Sequence, residues 1–319
     1  MEISMKKPFV IIAGPTAVGK TELSIALAEK INGVIISADS IQVYKYMDIG
    51  SAKITKAEMR GIDHYLIDEF DPSDEFHVVK FQECAKRYME QIYQKKQIPI
   101  LVGGTGFYIQ ALLRDIDFSK EESDESYRNS LEALANEKGE EYLHQMLAKI
   151  DAKSAEDIHS NNRKRVIRAL EFYHTSGKKI SDHNEEEKKR ISPYNHAYFV
   201  LNDTRELLYK KIDERVDLMI DQGLVDEVKH LKEMGYHKNL VSMQGIGYKE
   251  ILKYLDGELT IEEAVYTMKR DTRHFAKRQL TWFKREADVL WIMKPEFEYN
   301  TEAILSYMID KLKEKEIIS

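Results

Sequence analysis

At 319 residues, with 43% hydrophobic and 32% charged side chains, the chain is long enough for one large globular domain or two, with a sizeable core. Its formal net charge of −7 argues, as an average, against a polyanionic partner, and its single cysteine, Cys84, excludes an intramolecular disulfide or a cysteine-based zinc site. No apolar run approaches the ~20 residues that span a bilayer, and Met1–Pro8 leads directly into a strand, which predicts no signal peptide, no membrane association and a cytoplasmic protein.

The first predicted strand is Phe9-Val10-Ile11-Ile12-Ala13, and a helical pattern with Leu23, Leu27 and Ile31 on one face follows it. Between them stands Gly14-Pro15-Thr16-Ala17-Val18-Gly19-Lys20-Thr21, which fits G-x-x-x-x-G-K-[ST] in the strand-loop-helix context where that loop binds phosphate. Backbone N–H groups and the helix N-terminus attract anionic oxygens. Gly14, Thr16, Ala17, Val18, Gly19, Lys20 and Thr21 are therefore candidate ligands of a phosphate or diphosphate, with Lys20 on the outer phosphate and the Thr21 hydroxyl on Mg²⁺.

A second strand, Val34–Ala38, ends at Asp39 and opens a long polar loop through Lys53. His64–Asp68 is predicted as a third strand, Val78–Gln94 as an amphipathic helix and Pro99–Val102 as a fourth strand running into Gly103-Gly104-Thr105-Gly106 and another helix. Strands alternating with helices predict an α/β fold, a doubly wound parallel sheet of the P-loop kind, with ligands at the carboxyl ends of the strands. The phosphate loop, Asp39 and Thr105 all occupy such ends. From 117 to 193 only helical periodicity appears, over Glu125–Glu137, Glu140–Ile150 and Arg163–His174. The expected organisation is a core of 1–116 and 194–319 with a helical insertion at 117–193.

The sheet resumes at Ala197–Leu201. Thr204 reads as an N-cap, and helices follow up to Gly223, at Leu224–Met234 and at Tyr248–Leu255. Thr260 and Glu263 form a capping box at the head of a long helix running to about Glu286. On that helix Val265, Met268, Thr272, Phe275, Gln279 and Trp282 recur at three-four spacing and are expected to face the core. A short strand, Val289–Ile292, and a helix, Thr301–Lys313, close the chain.

Charge is segregated along this pattern. Ten carboxylates stand against three basic residues from Asp115 to Glu141, whereas Lys269–Arg285 holds seven Lys or Arg against Asp271 alone. Arg270, Arg273, Lys277 and Lys284 are expected to form a basic ridge, with Arg278 beside it. Arg163, Lys164, Arg165 and Arg168 make a second basic cluster, and Arg128 is a third candidate contact. Local charge of this kind steers a polyanion despite the acidic total.

The set Asp39-Ser40-x-Gln42-x-Tyr44, Asp48-Ile49-Gly50-x-Ala52-Lys53, Gly103-Gly104-Thr105 and Ala276-Lys277-Arg278-Gln279-x-Thr281-Trp282 resembles the tRNA dimethylallyltransferase family in its bacterial form. The resemblance implies transfer of a dimethylallyl group from its diphosphate to the exocyclic amine of the adenine just 3′ of the tRNA anticodon. Its implied partners are dimethylallyl diphosphate and a tRNA anticodon stem-loop, its cofactor Mg²⁺, and its state a monomer.

That chemistry asks for a polyanion cradle, a cation and a carboxylate to take the amine proton. Asp39 by itself suits either a base or a carboxylate holding Mg²⁺ through water; the context Ser40-Ile41-Gln42 favours the proton acceptor. Thr105 matches a threonine near the reacting centre and also suits a helix N-cap. By resemblance alone, Arg215 is assigned to diphosphate, and Ser40, Ile41, Gln42, Gln244, Gly245, Gly247, Lys277 and Arg278 to tRNA. The competing readings are a P-loop kinase or NTPase using ATP, an adenylate isopentenyltransferase acting on free nucleotide, and an RNA-binding protein with a disused phosphate loop.

Overall fold

The computed structural model describes residues 6–118 and 124–319. By internal packing the chain divides into two compact units, Met1–Leu113 with Pro193–Ser319, and Arg114–Ser192. In chain order the first stretch runs β1 (Lys7–Ala13), α1 (Lys20–Ile31), β2 (Gly33–Ala38), β3 (His64–Tyr65), α2 (Val78–Gln94), β4 (Ile98–Gly103) and α3 (Gly106–Leu113). The insertion holds α4 (Glu125–Lys138), α5 (Glu140–Ile150), α6 (Ala152–Asp157), α7 (Arg163–Ser176) and α8 (Ile180–Lys188). The chain then resumes with β5 (Tyr194–Asn202), α9 (Arg205–Asp221), α10 (Leu224–Glu233), α11 (Tyr248–Leu255), α12 (Ile261–Phe283), β6 (Val289–Met293) and α13 (Thr301–Glu314).

The strands form one parallel sheet in the order β3-β2-β4-β1-β5-β6. Ile11 of β1 pairs with Leu101 of β4 on one side and Tyr198 of β5 on the other. Phe9 to Ala13 are fully buried because helices cover both faces of a parallel sheet, so a central strand reads as one unbroken apolar run. The pleat divides that run. Phe9, Ile11 and Ala13 join one core with Phe81, Tyr108, Val216, Val228, Ile251 and Phe283, while Val10 and Ile12 join the other with Leu23, Leu27, Ile212, Ile304 and Met308.

Two caps form as the sequence predicts: Thr204 accepts from the Leu207 N–H, and Thr260 and Glu263 close a capping box at 3.2 and 2.8 Å. Two expectations need correction. The third strand stops at Tyr65, because Leu66 and Asp68 take φ of 61° and 59°, a left-handed backbone that ends pairing. On α12 the buried positions are Ala264, Met268, Ala276, Gln279 and Phe283, whereas Val265, Thr272, Phe275 and Trp282 are half-buried. The real stripe runs along the i, i+4 row, one position away from the predicted one at its start and end.

The insertion packs around Leu131, Ala135, Leu143, Leu147, Val166, Ile167 and Leu170. Its helices α6 and α8 have too few apolar positions to show a period in the sequence. Buried Asp151 organises both: it accepts from the N–H and hydroxyl of Ser154 and from the N–H and hydroxyl of Ser181.

Candidate active site

The phosphate loop leaves β1 between the carboxyl ends of β4 and β5, where strand order reverses and parallel sheets open a crevice. Gly19, at φ 95°, is the left-handed cap from which α1 starts, aiming the first helical N–H groups into the loop. Lys20 Nζ folds back onto the carbonyls of Gly14 and Pro15, each at 2.9 Å. The Thr21 side chain is exposed at the mouth of the loop.

Three charged groups converge here. Burial, and then the like charge of Arg215, pulls the Lys20 ammonium down from its ordinary 10.5 to about 7, with Asp39 opposing the shift. Burial lowers Arg215 as well, again against the pull of Asp39. Arg215, half-buried on α9, makes no hydrogen bond or ion pair with any described residue. Two desolvated cations thus face one carboxylate, leaving an excess of positive charge at the mouth of a phosphate loop.

Asp39 follows β2, and its Oδ1 accepts from the N–H groups of Ile41 and Gln42 at 2.8 and 3.2 Å. That turn orients the carboxylate while Oδ2 has no partner among the described residues. Gln42 in turn donates through Nε2 to the carbonyls of Ser51 and Ala52 at 3.2 and 3.3 Å. Ser40 and Ile41 are half-buried beside it.

Thr105 sits where β4 becomes α3. Its N–H donates to the Ala38 carbonyl, and its own carbonyl accepts from Tyr108 and Ile109. The hydroxyl caps nothing among the described residues and stays uncommitted beside the Asp39 strand end.

Three residues of this site have roles that pattern reading does not give, although Gln279 and Trp282 stand in the motif quoted above. Gln279 of α12, which the sequence places in a core stripe, accepts from the Thr16 N–H and donates to the Gly104 carbonyl, each at 3.0 Å. Trp282, one turn on, packs against Gly106, and its buried Nε1 has no hydrogen-bond partner. A Cβ on Gly104 or Gly106 would collide with those two side chains, which is why that loop is glycine-rich. Glu227 of α10 accepts from the N–H groups of Asp48, Ile49 and Gly50 at 3.0, 2.7 and 3.1 Å and from the Tyr248 hydroxyl at 2.8 Å. It secures the loop to which Gln42 is tied. A glutamate on an amphipathic helix carries no local signal of that role.

The predicted RNA contacts fall into two groups. Lys277 and Arg278 are exposed on α12, Arg278 lying over the Phe275 ring, and Lys164 and Arg165 are exposed on α7. Arg128, by contrast, bonds both oxygens of the fully buried Glu171, and Arg168 lies 3.6 Å from the same carboxylate. Arg163 contacts Glu132, Asn136 and Glu140. Two residues of the basic ridge are paired, Arg270 with Asp271 and Arg273 with Asp213, beside a pair between Lys269 and Asp217. Gln244 and Gly245 lie in the turn before α11, where Gln244 bonds the Lys238 carbonyl and Gly245 packs on Ile41; Gly247, at φ 100°, bonds Glu250.

Residues 42–286 match the model of the family described as IPP transferase. The chain is 61% identical over 98% of its length to a tRNA dimethylallyltransferase of Lachnoclostridium phytofermentans, covering 99% of that protein. The chain belongs to the IPP transferase family. Among solved structures, it resembles the family's tRNA isopentenylpyrophosphate transferase from Bacillus halodurans at 45% identity and a TM-score of 0.73, with 98% of each chain covered. It also resembles a eukaryotic dimethylallyltransferase acting on tRNA at 32% identity and a TM-score of 0.77, over 90% of this chain and 74% of that one. Among the described residues no helix is long and apolar enough to cross a membrane.

Proposed function

We propose that the protein transfers a dimethylallyl group from dimethylallyl diphosphate to the exocyclic amine of the adenine 3′ of a tRNA anticodon. The observation that carries this reading is the grouping at a phosphate loop of two desolvated cations, Lys20 and Arg215, each of which feels the charge of Asp39, a carboxylate oriented through Oδ1 by its own turn. A diphosphate leaving group needs the cations, and an amine nucleophile needs the carboxylate.

In the reaction the bond between C1 of the dimethylallyl group and the diphosphate oxygen breaks as the adenine N6–C1 bond forms. Asp39 takes the proton that the amine sheds as its nitrogen becomes positive. Lys20, Arg215 and the N–H groups of the phosphate loop stabilise the negative charge growing on diphosphate. The Thr105 hydroxyl donates to a diphosphate oxygen or holds the incoming base. The exposed Thr21 hydroxyl, an oxygen donor at the loop mouth, suits a hard cation that keeps several waters, so Thr21 would hold Mg²⁺ with diphosphate oxygens. Mg²⁺ bound there supplies further positive charge to the leaving group.

On the acceptor side, Ser40, Ile41 and Gln42 with the turn Gln244–Gly247 receive the RNA, and Lys277, Arg278, Lys164 and Arg165 contact its phosphates. Arg128 and Arg168 contribute mainly by ordering the insertion around Glu171. The adenine must leave its stack to reach Asp39, so a paired adenine is a poor substrate.

The test is incubation with dimethylallyl diphosphate, Mg²⁺ and unmodified tRNA, followed by mass analysis of nucleosides. One adenosine in the anticodon loop should gain a dimethylallyl group with release of diphosphate. Steady ATP hydrolysis without prenyl transfer, or transfer to free adenylate alone, would overturn the reading.

A further inference from the structure

Gln279 is 6% exposed near the C-terminal end of the 23-residue α12, between the fully buried Ala276 and Phe283. Both of its polar atoms are engaged, and with backbone groups of two different loops: Oε1 with the Thr16 N–H of the phosphate loop and Nε2 with the Gly104 carbonyl next to Thr105. Leaving either backbone group unpaired in a buried place is unfavourable, so the two bonds define one separation between the loops. Gly104 answers to the same constraint, since a Cβ there would strike the Gln279 amide.

We propose that Gln279 is a positioning residue, a strut on a rigid helix that holds the phosphate loop and the Gly103–Thr105 loop in register while the C–N bond forms. It touches neither reacting atom. Its effect comes through Thr16 and Gly104: one loop carries the leaving group, the other carries Thr105. A long helix anchored in both cores resists the pull that either loop feels when a ligand binds. The inference rests on the reading that the phosphate loop takes the donor diphosphate and that Thr105 faces the reacting centre.

The experiment compares Gln279→Ala, Gln279→Glu, Gly104→Ala and the double variant Gly104→Ala/Gln279→Ala. For each, it reads the single-turnover rate at saturating donor and tRNA, the equilibrium affinity for each substrate, and the thermal midpoint. Misplacement by about 1 Å costs on the order of 10²-fold in rate. Gln279→Ala should therefore slow turnover by about 10- to 100-fold, with both affinities within about threefold of wild type. Gln279→Glu keeps side-chain length and the acceptor for Thr16 but sets a carboxylate against the Gly104 carbonyl, so it should be slow as well while remaining folded.

Gly104→Ala should be slow because the new methyl dislodges the amide. Once Gln279 is alanine that collision is gone, so the double variant should be no slower than the slower single variant. Additive losses in the double variant would overturn the proposal. So would wild-type turnover in Gln279→Glu, or a loss that falls wholly on substrate affinity. A separate arm, Lys20→Ala, tests the underlying reading: donor affinity and single-turnover rate both unchanged there would remove the donor from the phosphate loop, whatever Gln279 does.

Discussion

Two regions that look alike as sequence, because each is rich in charged groups, behave differently once folded. At the phosphate loop the charged and polar groups are oriented but left with capacity to spare: among the described residues one Asp39 oxygen and the Thr105 hydroxyl have no hydrogen-bond partner, and Arg215 feels Asp39 but makes no salt bridge or hydrogen bond. In the insertion, Arg128, Arg163 and Arg168 are turned inward or sideways onto Glu171, Glu132 and Glu140. An arginine held by a buried carboxylate is largely neutralised as a steering charge, whereas removing it strands the carboxylate. Charge in a sequence is therefore a poor count of charge offered to a partner.

The sharpest way to break that contrast is at Asp39. Asp39→Asn should retain both substrates and lose about 10²–10⁴-fold in single-turnover rate, the usual range for a general base. Near-wild-type turnover would make the uncommitted oxygen incidental, and a selective loss of Mg²⁺ dependence would return Asp39 to the metal.

Lys20→Ala should come next, lowering the rate by about 10²–10³-fold, since the charge it meets grows in the transition state. Isothermal titration with dimethylallyl diphosphate and rapid-quench kinetics separate its binding and rate effects. Equal losses in both would mean that Lys20 binds the ground state and the transition state alike.

Glu227→Ala leaves the N–H groups of Asp48, Ile49 and Gly50 without their carboxylate, and the Tyr248 hydroxyl as well. Stability should fall by about 1–3 kcal/mol in urea denaturation. Because Gln42 and Asp39 are tied to that loop, turnover should fall too, but less than in Asp39→Asn. A rate unchanged at a lowered midpoint would confine Glu227 to stability.

The insertion itself can be tested by salt. Every cation that neutralises an RNA phosphate steepens the fall of log affinity with log salt by about one, so removing it should flatten that slope by the same amount. Lys164→Gln/Arg165→Gln should then flatten it by about two, whereas Arg128→Gln should change it little and destabilise the insertion instead. A larger flattening from Arg128→Gln would show that the Glu171 pair opens to meet RNA.

The charge balance at the phosphate loop can also be tested by pH. Lys20 titrates near 7 in the folded protein and near its ordinary 10.5 when unfolded, so between those values the unfolded chain holds the extra proton. The ligand-free protein should therefore become more stable as pH rises from about 7 toward about 10. Lys20→Met should lose that part of the slope in urea midpoints measured across the window. An unchanged slope would place the titration elsewhere.

The sequence alone determined the sheet, the phosphate loop and the identity of the charged groups at strand ends. Those features are local: an unbroken apolar run, a glycine-lysine-threonine spacing, and a helix period each depend on neighbours within a few residues. The Thr204 cap, the capping box at Thr260 and the helical character of the insertion are legible for the same reason. The short third strand is not, because the left-handed turns at Leu66 and Asp68 lie in a segment whose composition still reads as strand. Gln279, Glu227 and Trp282 are also hidden, since each acts on backbone brought to it from 175 or more positions away or, for Tyr248 and Glu227, from a neighbouring helix. Only the tertiary structure decided which charges face outward and which are held by Glu171, Asp213 or Asp217, because that depends on which carboxylate the packing delivers to each cation.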